Sequence, residues 1–288
     1  MRALFNIVAI WLAASPLMLD RGFQYQQFDV PGARLTRPFG LNASGAIVGL
    51  YRDASNLGHG FLRESGGTYT TIDYPGATFT NASSINARGD VVGRWTDTAG
   101  VNHGYLMTRQ GTFFQIDPPA PCVVTTLQTV IHGINDVRDL VGRCFDASGK
   151  ELAWMWEHDG SFRVLDDPNL VTTDAWLLTD AGEVVGDYTD ASGFVHGYTW
   201  TKAGGLVTLD FPVMQTGLRD MNERGDITGI YSDDRGRFHG FLLRDGVFET
   251  LDHPDSINGG GTLVINNSGL IVGGFIDASG REHGFTAR

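Results

Sequence analysis

The stretch NNSGLIVGGFIDASGREHGF at residues 266–285 decides the fold, because the chain carries six versions of it. Each version has Asn-x-x-Gly or a close variant, an apolar run and an Asp, and in five of the six a His-Gly-aromatic element begins six residues after the Asp. The versions begin at Asn42, Asn86, Asn135, Thr179, Asn222 and Asn266, with steps of 44, 49, 44, 43 and 44 residues. A regular period of this length indicates a repeat architecture built from one supersecondary unit.

Each unit predicts four short strands. Strand a precedes the Asn-x-x-Gly turn, strand b is the apolar run, and strand c starts at His-Gly-aromatic. Strand d ends at an Asp-x-Pro element, where proline has no N–H to give to a ladder. This element occurs at Asp29, Asp73, Asp117, Asp166, Asp210 and Asp252. Four strands in roughly 44 residues is the size of a β-propeller blade.

The two ends of the chain predict how the ring closes. The last unit stops at Arg288, directly after its strand c, and therefore lacks a strand d. Residues 23–29 supply a spare strand with its own Asp-x-Pro. We therefore predict an all-β, six-bladed β-propeller, a single domain over 21–288, in which strand 23–29 completes the C-terminal blade and removes the open edge. An open solenoid is the alternative fold.

The first twenty residues differ from the repeats. Arg2 precedes an apolar segment that ends in the small residues Ala13 and Ala14. We interpret 1–20 as a signal peptide or N-terminal anchor and expect the protein to be exported, periplasmic or extracellular. No later segment is apolar enough to span a membrane. Export would allow Cys122 and Cys144 to form a disulfide, and two buried thiols are the alternative.

Composition narrows the range of partners. The 288 residues carry 21 Lys and Arg against 33 Asp and Glu, a net charge of −12. An acidic chain is a poor match for nucleic acid, which requires a basic face. We expect a monomer with a saccharide or protein ligand.

The units resemble the HAF family, a probable extracellular repeat. The resemblance covers 23–288 and depends on the Asn-x-x-Gly, Val-Gly, Asp and His-Gly-Phe elements in register. It implies secretion and a propeller-like fold and no defined activity. The third unit departs from the family pattern, because Leu152-Ala153-Trp154 replaces His-Gly-aromatic.

Aspartate and histidine recur in five units, which favours a structural role, since a catalytic site is needed only once. We expect each Asp to accept N–H groups of the b–c turn and each His to open strand c. The pairs are Asp53 and His59, Asp97 and His103, Asp190 and His196, Asp233 and His239, and Asp277 and His283. The turns are rich in oxygen but lack the ligand spacing of an EF-hand. We expect no metal or other cofactor, with calcium in these turns as the alternative.

Positions at which the copies differ indicate the candidate site. One such position lies three residues before each unit, on strand a, which lines a propeller's channel: Phe39, Ser83, His132, Trp176, Arg219 and Leu263. With Arg37 and Asp174, five residues before their units, these predict a pocket at the channel mouth. Arg37, Asp174, Trp176 and Arg219 would bind a sugar acid or saccharide by stacking and hydrogen bonds. His132 is a weak candidate for a catalytic base.

No catalytic motif accompanies these residues, so the leading hypothesis is an exported binding or interaction module. Its ligand would be a saccharide, an envelope component or a protein on the face formed by the d–a and b–c loops. The alternative is a polysaccharide lyase or glycoside hydrolase at the channel mouth, with His132 as the base and Arg219 neutralising a uronate. A propeller can host either function. The convergence of His132, Arg219 and Asp174 would favour the enzyme.

Overall fold

The computed structural model describes residues 22–124, 130–165, 170–210, 215–257, 261 and 263–288. Twenty-four strands form six four-stranded antiparallel sheets arranged as propeller blades. The first blade contains β2 (Leu35–Leu41), β3 (Ile47–Arg52), β4 (Gly58–Arg63) and β5 (Tyr69–Ile72). The second contains β6 (Phe79–Ile85), β7 (Val91–Thr96), β8 (Asn102–Met107) and β9 (Phe113–Ile116). The third contains β10 (Val130–Ile134), β11 (Leu140–Phe145), β12 (Glu151–Trp156) and β13 (Phe162–Val164).

Blades four and five repeat the same order, and the sixth combines both ends of the chain. They are β14 (Thr172–Leu178), β15 (Val184–Thr189), β16 (Val195–Thr201) and β17 (Gly205–Thr208); β18 (Thr216–Met221), β19 (Ile227–Ser232), β20 (Phe238–Arg244) and β21 (Val247–Thr250); and β22 (Leu263–Ile265), β23 (Ile271–Ile276), β24 (Glu282–Ala287) and β1 (Tyr25–Phe28). Within these described residues, no helix has the length and apolar character needed to cross a bilayer.

The predicted ring closure is confirmed. Strand β1 pairs antiparallel with β24, from Tyr25 opposite Ala287 to Phe28 opposite Gly284. The N–H of Gln24 donates to the carbonyl of Arg288 at 3.0 Å and extends the pairing by one residue. The predicted leader at 1–20 lies outside the described residues.

The Val-Gly element of strand b has a steric cause, which Gly93 illustrates. A Cβ on Gly93 would lie 2.1 Å from the carbonyl oxygen of Asn81 and 2.9 Å from the ring of Tyr105. Tyr105 is fully buried, and its hydroxyl donates to that same carbonyl at 2.9 Å. Strand b must carry glycine here because the aromatic of strand c and the backbone of strand a both approach it closely.

The Asn that opens each unit links neighbouring blades. Oδ1 of Asn42 accepts the backbone N–H groups of Ser44 and Ala46 at 3.1 and 3.0 Å, which fixes the a–b turn. Its Nδ2 donates to the carbonyl of Asn86 in the next blade at 3.1 Å. The other amide donors are Asn86, Asn135, Asn222 and Asn266, the last of which reaches Asn42. Thr179 has no amide and interrupts this ring of hydrogen bonds.

A disulfide joins Cys122 to Cys144 in the third blade, with a Cα–Cα distance of 5.6 Å. It connects the d–a segment before β10 to strand β11, and Val123 bridges Phe145 beside it. Cys122 and Val123 of the d–a segment are therefore held against the sheet.

Candidate functional site

The repeated Asp and His side chains form the same network in five blades. In the fifth, Nδ1 of His239 is 2.6 Å from Oδ2 of Asp252, and Nε2 is 3.4 Å from Oδ2 of Asp233. The ring also stacks on Tyr231 at a centroid distance of 5.1 Å. The other sets are Asp53, His59 and Asp73; Asp97, His103 and Asp117; Asp190, His196 and Asp210; and Asp277, His283 and Asp29.

These networks connect strands within a blade and lie outside the cavity described below. Oδ1 of Asp233 accepts the backbone N–H groups of Arg235 and Arg237, so the carboxylate also fixes the b–c turn. His283 reaches Asp29 and therefore reinforces the ring closure. The role of the Asp-x-Pro carboxylate as the second histidine partner was not predicted. Among the described residues, no group of three His, Cys, Asp or Glu side chains is placed to hold a metal ion.

A cavity of 670 Å³ lies inside the ring of strands a. In five blades the residue three positions before the first residue of the unit is the extra residue of a β-bulge. At this residue the pairing of strands a and b shifts by one position. A bulged residue has no partner on the neighbouring strand, so its side chain is re-aimed out of the regular alternation. The five bulged residues, Phe39, Ser83, His132, Trp176 and Arg219, all line the cavity.

The sixth blade differs. Leu263 pairs directly with Gly273 and is fully buried, so its expected place at the channel mouth was wrong. It approaches Gly240 of the preceding blade, as Ile131 approaches Gly104. The strand segment from Leu263 to Ile265 pairs with β23 without a bulge. Leu263 therefore takes the core position that, in the other blades, belongs to the residue four positions before the first residue of the unit.

Three of the predicted site residues form a stacked row across consecutive blades. The ring centroids of His132 and Trp176 are 4.2 Å apart, and the guanidinium of Arg219 is 4.2 Å from the Trp176 ring. His132 belongs to the third blade and Arg219 to the fifth, so Trp176 of the fourth lies between them. Trp176 is therefore a packed wall of the cavity and not the open stacking platform that the sequence suggested.

The carboxylate of Asp187 holds this row in place, and that of Asp174 lies beside it. Asp187 accepts the indole N–H of Trp176 at 2.8 Å and also binds the guanidinium of Arg219. Burial raises the pKa of Asp187, although Arg219 acts to lower it. Oδ1 of Asp174 is 3.4 Å from Nε2 of His132, with no hydrogen bond between them. His132, Arg219 and Asp174 thus do not converge on one point, since Arg219 turns to Asp187.

The remaining predicted residue, Arg37, joins the first blade to the sixth. Its Nε and one terminal nitrogen donate to the two carboxylate oxygens of Glu282, both at 2.6 Å. On the third blade Arg143 lies 3.3 Å from Asp174 and 3.4 Å from Glu151. Burial raises the pKa of Glu151, with Arg143 opposing. The arginines selected from the sequence are therefore already neutralised by carboxylates.

Sequence reasoning missed a second variable position, on strand b. It lies eight residues after the first residue of each unit and holds Leu50, Arg94, Arg143, Asp187, Ile230 and Gly274. In the second blade Arg94 lies directly opposite Asn81 of strand a, and both line the cavity. The signal was present in the sequence, because the six units differ in size and charge at this position.

Known proteins resemble this chain in fold. TolB from Acinetobacter baumannii has 13% identity and a TM-score of 0.62 over 85% of this chain and 64% of its own. Virginiamycin B lyase from Staphylococcus aureus has 13% identity and a TM-score of 0.53, covering 92% of this chain and 99% of its own. The Aleuria aurantia lectin, solved with Fucα1-6GlcNAc, has 7% identity and a TM-score of 0.55, covering 88% and 93%.

These likenesses support the six-bladed propeller and nothing more specific. The chain spans less than two thirds of the length of TolB. No family profile and no curated protein matches the sequence. The resemblance to the HAF repeat is therefore not confirmed.

Proposed function

We propose that this protein is an exported binding module whose ligand, a saccharide, occupies the central cavity. The observation that carries the proposal is the convergence of the variable positions. The blades repeat in their glycines and turns and, in five cases, in their Asp–His networks. The five bulged residues of strand a differ from one another, and so do the facing residues of strand b. All five bulged residues and four of the strand-b residues, Leu50, Arg94, Arg143 and Gly274, line one space. Variation on the wall of a cavity is what an asymmetric ligand requires of a symmetric scaffold.

The cavity has a suitable size and chemistry for such a ligand. A volume of 670 Å³ lies in the range of small-molecule sites. Its wall combines guanidinium, amide, hydroxyl and carboxylate groups with the aromatic ring of Phe39 and with the part of Trp176 that His132 and Arg219 leave exposed. Polar groups beside aromatic surfaces suit the hydroxyls and apolar faces of sugars. The likeness to a lectin solved with a disaccharide agrees with this proposal at the level of fold.

A glycan array with the wild type and Trp176→Ala tests the proposal. Trp200→Ala is the matched control, because Trp200 is a half-buried tryptophan of the same blade outside the cavity. We expect the wild type to bind a defined set of glycans, Trp176→Ala to lose at least tenfold in affinity, and Trp200→Ala to retain binding. A wild type that binds no glycan, or Trp176→Ala that binds as the wild type does, would contradict the proposal.

The enzyme alternative has one observation in its favour, the 3.4 Å approach of His132, which lines the cavity, to Asp174, which is buried behind it. A lyase base should lie beside the group that neutralises the uronate, but Trp176 separates His132 from Arg219. Incubation with acidic polysaccharides and detection of unsaturated products by ultraviolet absorbance tests this function. Activity lost in His132→Gln would replace the binding proposal with the enzymatic one.

Export is the remaining part of the proposal. Its support is the apolar segment after Arg2 and the disulfide between Cys122 and Cys144, a bond that persists in oxidising compartments. Fractionation of cells that express the full chain, with mass spectrometry of the N-terminus, tests both export and removal of residues 1–20. Retention of the intact chain in the cytoplasm would contradict it.

A further inference from the structure

Four arginines line the cavity, and they differ in how their charge is balanced. Among the described residues, Arg37 pairs with Glu282, Arg143 with Asp174 and Glu151, and Arg219 with Asp187. Arg94 is the exception, because no described carboxylate contacts it.

The surroundings of Arg94 are an aromatic ring and a second positive charge. Its guanidinium lies 4.9 Å from the centroid of the Phe79 ring, and its Nε is buried without a hydrogen-bond partner. Burial, together with the charge of Arg143 in the next blade, lowers the pKa of Arg94 to about 10. A desolvated charge without a partner is costly. A folded chain that keeps one on the wall of a cavity is expected to gain from it when a ligand binds.

The groups beside Arg94 are also donors. Asn81 lies opposite Arg94, and its Oδ1 accepts the backbone N–H of Arg94 at 2.9 Å. This bond orients the Asn81 amide and leaves its Nδ2 without a partner among the described residues. Ser83, the bulged residue of the same strand, brings a hydroxyl to the cavity wall. The second blade thus presents a guanidinium, an amide N–H₂ and a hydroxyl on one stretch of the wall.

We propose that Arg94, with Asn81 and Ser83, binds an anionic group of the ligand, the carboxylate of an acidic saccharide. This inference rests on the proposed function and specifies its ligand class. A guanidinium matches the geometry of a carboxylate with two parallel N–H···O bonds, and the neighbouring donors would complete its coordination. The ligand would supply the negative charge that the other three cavity arginines receive from the protein itself.

The test compares the wild type with Arg94→Gln and Arg88→Gln. Arg88 is an exposed arginine in the a–b turn of the same blade, so its replacement removes the same charge away from this wall. The probes are uronate-containing oligosaccharides and their neutral methyl esters, first on an array and then by titration calorimetry. We expect the wild type to prefer the acids and Arg94→Gln to bind them at least tenfold more weakly. Arg88→Gln should change binding less than twofold.

The outcomes separate this inference from the proposed function. Equal binding of acids and esters, or full acid binding by Arg94→Gln, overturns the anion site and leaves saccharide binding intact. If no saccharide binds, the proposed function fails, and glucuronate and sulfate are titrated while the arginine side-chain NMR signals are recorded. A saturable shift at Arg94 supports the anion site by itself, and no shift overturns it. Melting curves confirm that Arg94→Gln is folded.

Discussion

Replacement of Arg94 by methionine should stabilise the unliganded protein. Burial lowers the pKa of Arg94 from its usual value to about 10, so keeping the charge in the folded state costs about 3 kcal/mol at ~1.36 kcal/mol per pKa unit. The gain from removing the charge is smaller than this for two reasons. Methionine loses the contact of the guanidinium with Phe79, worth about 0.5–1 kcal/mol. Arg94 is also partly exposed, so water lowers the cost of its charge. The expected net gain in the free energy of unfolding is about 1–2 kcal/mol.

The assay is thermal and denaturant unfolding at pH 7, with Arg88→Met as the control. A gain of 1–2 kcal/mol corresponds to a rise in melting temperature of about 2–8 °C for a chain of this size. The exposed Arg88 should change stability by less than about 0.5 kcal/mol. The cost should be fully present at neutral pH, because a lowered base pKa relieves it only above about pH 10. A loss of stability in Arg94→Met would mean that Arg94 supports the fold, and the reasoning would be refuted.

Three further predictions concern the scaffold. Cys144→Ser removes a disulfide with a sequence separation of 22 and should lower the free energy of unfolding by about 3 kcal/mol. The measurement is denaturant unfolding of variant and wild type in oxidising and in reducing buffer, and equal unfolding midpoints in oxidising buffer would contradict the prediction. Asp220 is buried with a pKa raised to about 7, so wild-type stability should fall as pH rises from about 4 to 7, and Asp220→Asn should remove that part of the slope; parallel pH profiles would count against it. Thr179→Asn should complete the ring of amides and add about 0.5–1.5 kcal/mol by chemical denaturation, and a loss would show that the interface cannot accept the amide.

The architecture could be predicted because its determinants recur. Each Asn-x-x-Gly turn and each Asp-x-Pro end is weak alone, but six copies in register fix the strand count. The spare segment at 23–29 could be assigned to the last blade because that blade lacks a fourth strand, and the pairing of Tyr25 with Ala287 agrees. The disulfide was one of two alternatives, since spacing alone does not bring Cys122 and Cys144 together.

The details of the site could be predicted only in part, for two physical reasons. A β-bulge adds a residue to one strand without a distinctive residue type, so the alternation assumed around Trp176 does not hold across it. The sequence also does not show which carboxylate each cavity arginine pairs with. Arg219 and Arg37 could be recognised as cavity residues, but their occupation by Asp187 and Glu282 depends on contacts between strands and between blades.

The joint between β1 and β24 places a demand on biogenesis. Translation produces Tyr25 before the strands of the other five sheets and Ala287 after them, and these two residues must meet before the sixth sheet has its outer strand. Joining ends so far apart costs about 5 kcal/mol of chain entropy, far more than any hairpin inside a blade. A ribosome-bound chain can therefore form five sheets in order, but it cannot pair β1 with β24 until β24 has been synthesised. Deletion of residues from β24 should leave an open ring whose unpaired strand edges favour aggregation.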